Sequence, residues 1–175
     1  MMNIALSIAI AALISYLLGS CNFSIIVVRL LKNEDVRNFG SHNAGLTNTL
    51  RCFGKGCALL TLIGDLSKGV VAVTLSRCLC RLMEGGLSPD NDTHYIGYIA
   101  GFFAIIGHIF PIYYGFKGGK GVLVGVSTFI AVDPVIFFIC NFCSYSCCFQ
   151  VCITFVNYCV LVLSDCNIFT SLFLL

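Results

Sequence analysis

Charge is scarce in this chain: 10% of the 175 residues are charged against 58% hydrophobic, too little polar surface to coat a soluble globule of this size. A mean hydropathy of +0.96 points the same way, to an integral membrane protein. There is no basic run of the kind that tracks a nucleic-acid backbone, and the formal net charge is only +2, which argues against nucleic acid as a partner. No Pro/Ser-rich linker, charge block or repeat period divides the chain, so one membrane domain is the economical reading. The first apolar run has no basic n-region and is too long for a signal peptide, which keeps it as a span. The twelve cysteines lack histidine partners at zinc spacing, even where Cys78 and Cys80 or Cys140 and Cys143 stand close, so neither zinc nor structural disulfides are predicted.

What the chain has instead is a series of apolar runs, and a helix needs about 20 such residues to cross a bilayer. Ile4 to Leu31 gives the first, broken only by Gly19-Ser20-Cys21-Asn22. Gly56 to Leu79 gives a second, with Asp65 and Lys68 inside it, and Ile96 to Tyr114 a third. Val122 to Ile139 is a shorter fourth, interrupted by Asp133-Pro134, and Val135 to Leu175 is apolar enough for one or two more. The expected fold is therefore an all-α, polytopic membrane helix bundle with about five or six readable spans. Lys32, Arg37, Arg51 and Lys55 crowd the first connection and Lys117 and Lys120 the third, whereas Arg77 and Arg81 in the second are offset by Glu84, Asp90 and Asp92. Positive-inside logic places connections one and three in the cytoplasm and the N-terminus outside.

Two polar, glycine-rich segments lie in those two basic connections. The first holds Gly40, Ser41, Asn43, Gly45, Thr47, Asn48 and Arg51, all suited to phosphate and none a usual hydrocarbon-facing choice. Gly, Ser and Asn also make ordinary turns, and a solvated loop is the plainer alternative. The second runs Phe116-Lys117-Gly118-Gly119-Lys120-Gly121 and is not a Walker A loop, since no Ser or Thr follows the glycine–lysine pair. Its lysines, with the first amides of the next helix, would make a cationic pocket; snorkelling lysines against anionic lipid are the alternative. Asp65 and Lys68, three apart, share a helix face and can either pair or line a polar cavity. His108, before Phe110-Pro111, is placed behind the site, ordering a turn or neighbouring loop rather than doing base chemistry.

Taken together, GSHNAGLTN at Gly40–Asn48 with Arg51 after it, LIGDLSKG at Leu62–Gly69 and GHIFPIYYGFKGGKGV at Gly107–Val122 resemble the bacterial acyl-phosphate:glycerol-3-phosphate acyltransferase family. YLLGS at Tyr16–Ser20 and the Asp133-Pro134 step follow the same pattern, so the likeness runs from about Tyr16 to Pro134; Leu46 stands where the family usually has Ala. The resemblance implies a seven-helix enzyme of the bacterial inner membrane with its active site facing the cytoplasm. It would move a fatty acyl group from acyl phosphate to the 1-hydroxyl of glycerol 3-phosphate, giving lysophosphatidic acid and inorganic phosphate. No metal, cofactor, acyl-enzyme intermediate or obligate protein partner is implied; the partners are the two substrates and membrane lipid. Ser41, Asn43 and Arg51 would be catalytic. Gly40, Gly45, Thr47, Asn48, Lys117, Gly118, Gly119, Lys120 and Gly121 would bind substrate, with Asp65, Lys68 and His108 behind them. An organophosphate transporter is the runner-up, but it would be expected to show internal or inverted repeats, and none is evident.

The likeness fails at the end. The family continues with an Arg/Lys-Tyr-Val-Ser-Leu stretch and a later His-x-x-Asn-Ile-x-Arg-Leu segment, and neither is present. From Cys140 to Leu175 there is no glycine, a single charged residue (Asp165), and seven of the twelve cysteines. A displaced reading frame produces this pattern, because TGT and TGC read one base later begin valine or alanine codons. Phe149 to Phe155, encoded as TTT CAA GTA TGT ATC ACT TTC and followed by G, reads one base later as Phe-Lys-Tyr-Val-Ser-Leu-Ser, the missing motif. Residues 1–139 are thus expected to be the family-like domain and 140–175 an out-of-frame product of a shift near Ile139, leaving the chain as written inactive or a non-functional remnant.

Overall fold

A computed structural model of the protein describes residues 4–83, 92–135 and 137, and the described elements are helical. Helices α1 (Ile4–Ser20), α2 (Phe23–Lys32), α3 (Leu46–Met83), α4 (Asp92–Ile109) and α5 (Val122–Val132) follow in order, with short 3₁₀ turns at Val36–Asn38 and Ile112–Tyr114. The stretches Ala5–Lys32, Leu46–Leu82 and Tyr95–Tyr114 are each long and apolar enough to cross a membrane, and α5 is apolar but shorter. The membrane-bundle expectation holds for these. The additional spans expected after Val135 fall almost wholly outside the described residues. Residues to Val132 form one compact unit; in the second, which starts at Asp133, the Phe137 amide bonds the Asp133 carbonyl at 3.0 Å.

The bundle is joined by small residues that let backbones meet. Gly19 of α1 lies against the Ala104 carbonyl of α4, and Gly107 of α4 against the Tyr16 carbonyl of α1. Ala72, Ala104 and Val124 bring α3, α4 and α5 together, with Leu18 and Ile105 packed around them.

The first expected span is two helices rather than one, and the polar break explains both the bend and its cost. A carbonyl or amide left unpaired at membrane depth is expensive, so irregular backbone persists there only when other groups satisfy it. The Lys68 ammonium donates to the Cys21 carbonyl at 2.8 Å, and the Phe23 amide lies near the Asp65 carboxylate. Asn22, wholly buried, caps α2 by accepting from the Ile25 amide at 3.4 Å and from the Ser24 hydroxyl at 2.7 Å.

Two further boundaries differ from the sequence reading. Arg77 and Arg81 lie on α3, not in a connection; Arg77 donates to the Ala131 and Val132 carbonyls at 3.1 and 3.2 Å, filling the orphan C-terminal acceptors of α5. At the other end α3 starts at Leu46, so Thr47, Asn48, Arg51 and Lys55 are helical rather than loop residues. A bend at Gly54 (φ 81°, ψ −179°) separates a short helix carrying Arg51 from the long spanning part, a conformation that favours glycine.

Candidate active site

The first glycine-rich segment is held from inside by Asn48. Its Oδ1 accepts from the Ser41 amide at 3.0 Å, and its Nδ2 donates to the carbonyls of Val36 at 3.1 Å and Phe39 at 2.9 Å. Asn48, expected among the phosphate donors, therefore has its amide hydrogens engaged within the loop and gives it shape. The turn is tight: Gly40 and His42 sit at φ 59° and 58°, and His42 Nδ1 lies 2.9 Å from the Arg37 carbonyl. Ser41, Thr47 and Arg51 are exposed, and Asn43 is half-buried. Beneath them Ala44 joins Ile25, Val28 and Val36 in a buried apolar cluster, with Phe53 and Tyr114 packed on it. Asn22 Nδ2 reaches the Ala44 carbonyl at 3.3 Å, tying the segment to the α1–α2 break.

The second segment folds back over the end of α4. The Gly118 amide donates to the Ile109 carbonyl and the Gly119 amide to the His108 carbonyl, both at 3.1 Å. Gly121 (φ 76°) then leads into α5, whose first turn starts directly after Lys120-Gly121. Lys117 and Lys120 are exposed.

The two segments meet at Gly119, where a side-chain carbon would overlap the Ala44 carbonyl on one side and the His108 ring on the other. Only glycine lets the two backbones approach so closely. Behind this contact Lys68 Nζ lies 2.9 Å from Asp65 Oδ1 and 2.8 Å from His108 Nδ1, with Asp65 and His108 nearly fully buried. The Lys68–Asp65 contact is close enough for an ion pair, yet Asp65 Oδ1 receives no hydrogen bond of good angle, so the attraction there is chiefly Coulombic.

Arg37 is a residue that sequence reasoning missed, counting it only as a loop charge. Its guanidinium donates to the Asp35 carboxylate at 3.0 and 2.8 Å, and Nη1 donates to the Tyr114 carbonyl at 2.8 Å and the Lys117 carbonyl at 3.3 Å. One side chain thus clamps connection one to connection three. Arg29 adds a 2.7 Å pair to Asp35, and both guanidinium groups lie over the Tyr114 ring at 5.6 and 6.0 Å. The Arg37 hydrogen bonds hold the Asp35 carboxyl well below the usual carboxylate range, against the opposing effect of burial, and Asp35 in turn raises Arg37.

Replacing Arg37 by Ala should therefore lower stability by about 1.5–3 kcal/mol, the range for bonds to charged groups. Because the folded-state value of Asp35 is depressed, its contribution is fully present above the unfolded carboxylate value of about 4 and fades as pH falls towards the folded one. Thermal melts in detergent from pH 7 down to 3, followed by circular dichroism, should show a gap between wild type and Arg37→Ala that narrows on acidification. An unchanged gap would contradict this account.

A groove of about 340 Å³ lined by Leu46, Leu50, Lys55, Ala58, Leu59 and Leu62 runs along the bent part of α3. Among the described residues no group of three or more His, Cys, Asp or Glu side chains gathers as metal ligands would.

The chain is similar to proteins of one family. A family model described as glycerol-3-phosphate acyltransferase matches residues 9–173. Proteins named glycerol-3-phosphate acyltransferase are similar over most of the chain: one from Halalkalibacterium halodurans is 46% identical over 69% of this chain and 54% of its own length. One from Clostridioides difficile is 42% identical over 77% and 63%, and one from Ureaplasma urealyticum 40% identical over 75% and 53%. The chain thus spans between half and two thirds of the length of these relatives. A crystal structure of PlsY (YgiH), an integral membrane glycerol 3-phosphate acyltransferase, in its glycerol 3-phosphate form superposes with a TM-score of 0.62 at 28% identity, covering 91% of this chain and 77% of that one. Its lysophosphatidic acid form gives 0.57 at 28% identity, over 76% and 60%. With a family model matched along nearly its whole length and relatives above 40% identity, the chain belongs to the glycerol-3-phosphate acyltransferase family.

Proposed function

We propose that this chain carries the substrate-holding part of an acyltransferase that moves a fatty acyl group from acyl phosphate to glycerol 3-phosphate, making lysophosphatidic acid. The observation that carries the reading is the Ala44–Gly119 contact, which brings two donor-rich glycine segments together beside the membrane-spanning helices. Acyl phosphate already has a good leaving group, so holding two anions in register supplies much of the catalysis. In this reading the segment from Ser41 to Thr47 faces the acyl phosphate and stabilises charge developing on its carbonyl and leaving phosphate. Arg51 and Lys120, with Lys117 nearby, hold the phosphate of glycerol 3-phosphate. The apolar groove along Leu46, Leu50, Leu59 and Leu62 suits an acyl chain entering from the bilayer.

The site faces the cytoplasm of a bacterial inner membrane in this proposal, with the N-terminus outside, in keeping with the Lys and Arg of connections one and three. Residues 140–175 are taken as the product of a displaced frame. The family match continues to residue 173, and the frame proposal rests on the glycine and basic residues that the tail lacks.

One assay tests activity and sidedness together. Sealed inside-out vesicles carrying the frame-corrected chain should acylate glycerol 3-phosphate from acyl phosphate, and sealed right-side-out vesicles should not. Acylation from acyl-CoA with none from acyl phosphate would sink the assignment, and equal rates in both vesicle types would sink the orientation.

A further inference from the structure

Lys68 stands where three parts of the fold converge. Its side chain is 4% exposed, and its ammonium contacts the Cys21 carbonyl in the α1–α2 break, Asp65 on its own helix and His108 Nδ1 at the end of α4. An ammonium has three hydrogens to donate and no lone pair with which to accept. His108 Nδ1 must therefore be the acceptor, which puts the ring proton on Nε2. That Nε2 edge is the one facing Gly119 and, beyond it, the Ala44 carbonyl. The backbone beside the ring completes the connection, since the His108 and Ile109 carbonyls receive the Gly119 and Gly118 amides. The ring and the main chain of one residue thus touch the second glycine segment at the spot where it meets the first.

We propose that Lys68 is a positioning residue: it fixes His108 as the Nε2–H tautomer, and through His108 it sets where Gly118, Gly119 and Lys120 stand against the Ala44 segment, and so how tightly the phosphate substrate is held. Asp65 supplies the counter-charge that keeps the ammonium in place at membrane depth. The tautomer rests on the contact geometry and a charged Lys68, while its effect on substrate rests on the acyltransferase reading.

Two measurements test it. The first takes the full chain in micelles with 15N-labelled histidine, using His42→Gln and His94→Gln to assign the His108 ring. The ring should show one neutral tautomer, bare at Nδ1 and protonated at Nε2, and a Lys68→Met/Asp65→Asn double variant, which removes both charges at once, should show a mixture. A protonated Nδ1 in the wild type, or a spectrum unchanged in the double variant, would overturn the proposal. The second takes the frame-corrected chain. Lys68→Met/Asp65→Asn should raise KM for glycerol 3-phosphate by about tenfold with kcat within roughly threefold. Lys68→Gln/Asp65→Asn, which keeps an N–H for Nδ1 without a charge, should recover most of that loss. Equal KM in the two double variants would assign Lys68 to charge pairing alone and overturn the positioning role. If the frame-corrected parent shows no acyl phosphate-dependent turnover, the acyltransferase reading fails while the ring spectra still decide the tautomer.

Discussion

A single-base correction near codon 139 is expected to let this gene support growth of a strain lacking its own glycerol-3-phosphate acyltransferase, where the chain as written supports little or none. The uncorrected tail, residues 140–175, has Asp165 as its one charged residue and offers no cation or Tyr-Val-Ser-Leu stretch to a phosphate site. Each charge-assisted hydrogen bond missing from a bound phosphate costs on the order of 1.5–3 kcal/mol, and two such losses compound to about 150- to 25,000-fold in rate. The apolar tail can still enter a membrane, so expression level alone would not produce the contrast, and quantitative blotting of both proteins controls for it. Growth supported equally by the two genes would refute the frame proposal.

Removing a cation from either glycine-rich segment should have the next largest effect. Arg51→Ala and Lys120→Ala, each in the frame-corrected chain, should lower kcat/KM for glycerol 3-phosphate by about 10- to 150-fold, as expected when one charge-assisted contact to a doubly charged substrate is lost. Both side chains are exposed and neither belongs to the clamps that hold the segments together, so the fold should survive the change. Ser41→Ala should act mainly on turnover or on use of acyl phosphate, which separates the two substrate regions kinetically. Wild-type constants in all three variants would reduce these segments to ordinary turns.

What could be read from the sequence was whatever depends on length and local composition. Apolar runs gave the spanning stretches, because crossing a bilayer requires length. The two glycine segments were legible as partners through their shared basic flanks, and the structure brings them into contact at Ala44 and Gly119. Contacts over long separations were hidden. Nothing around Arg37 shows that its guanidinium reaches carbonyls 77 and 80 residues away, beyond the Asp35-x-Arg37 spacing of its own turn. Asn48 reads as a phosphate donor because amides serve ligands and loops equally well, and its three backbone partners were not visible in the sequence. The start of α3 at Leu46 was obscured by polar residues, since Thr47, Asn48 and Arg51 resemble a loop until the Gly45 carbonyl is seen accepting from Thr49. The polar break at Cys21-Asn22 was visible, but its meaning needed Lys68 and Asp65, more than 40 residues on.

The satisfied break also bears on how the chain enters the bilayer. Synthesis runs from the N-terminus, so the Cys21 carbonyl and the Phe23 amide are in place before α3 emerges with the two groups that complement them. Asp65 and Lys68 arrive within one helical turn of each other and find an acceptor and a donor already waiting, which offsets the cost of carrying charge into hydrocarbon at the moment of insertion. His108 comes last, and its ring closes the cluster only when α4 docks on α1 and α3. For the Asp65–Lys68 pair, order of synthesis and order of charge neutralisation therefore coincide.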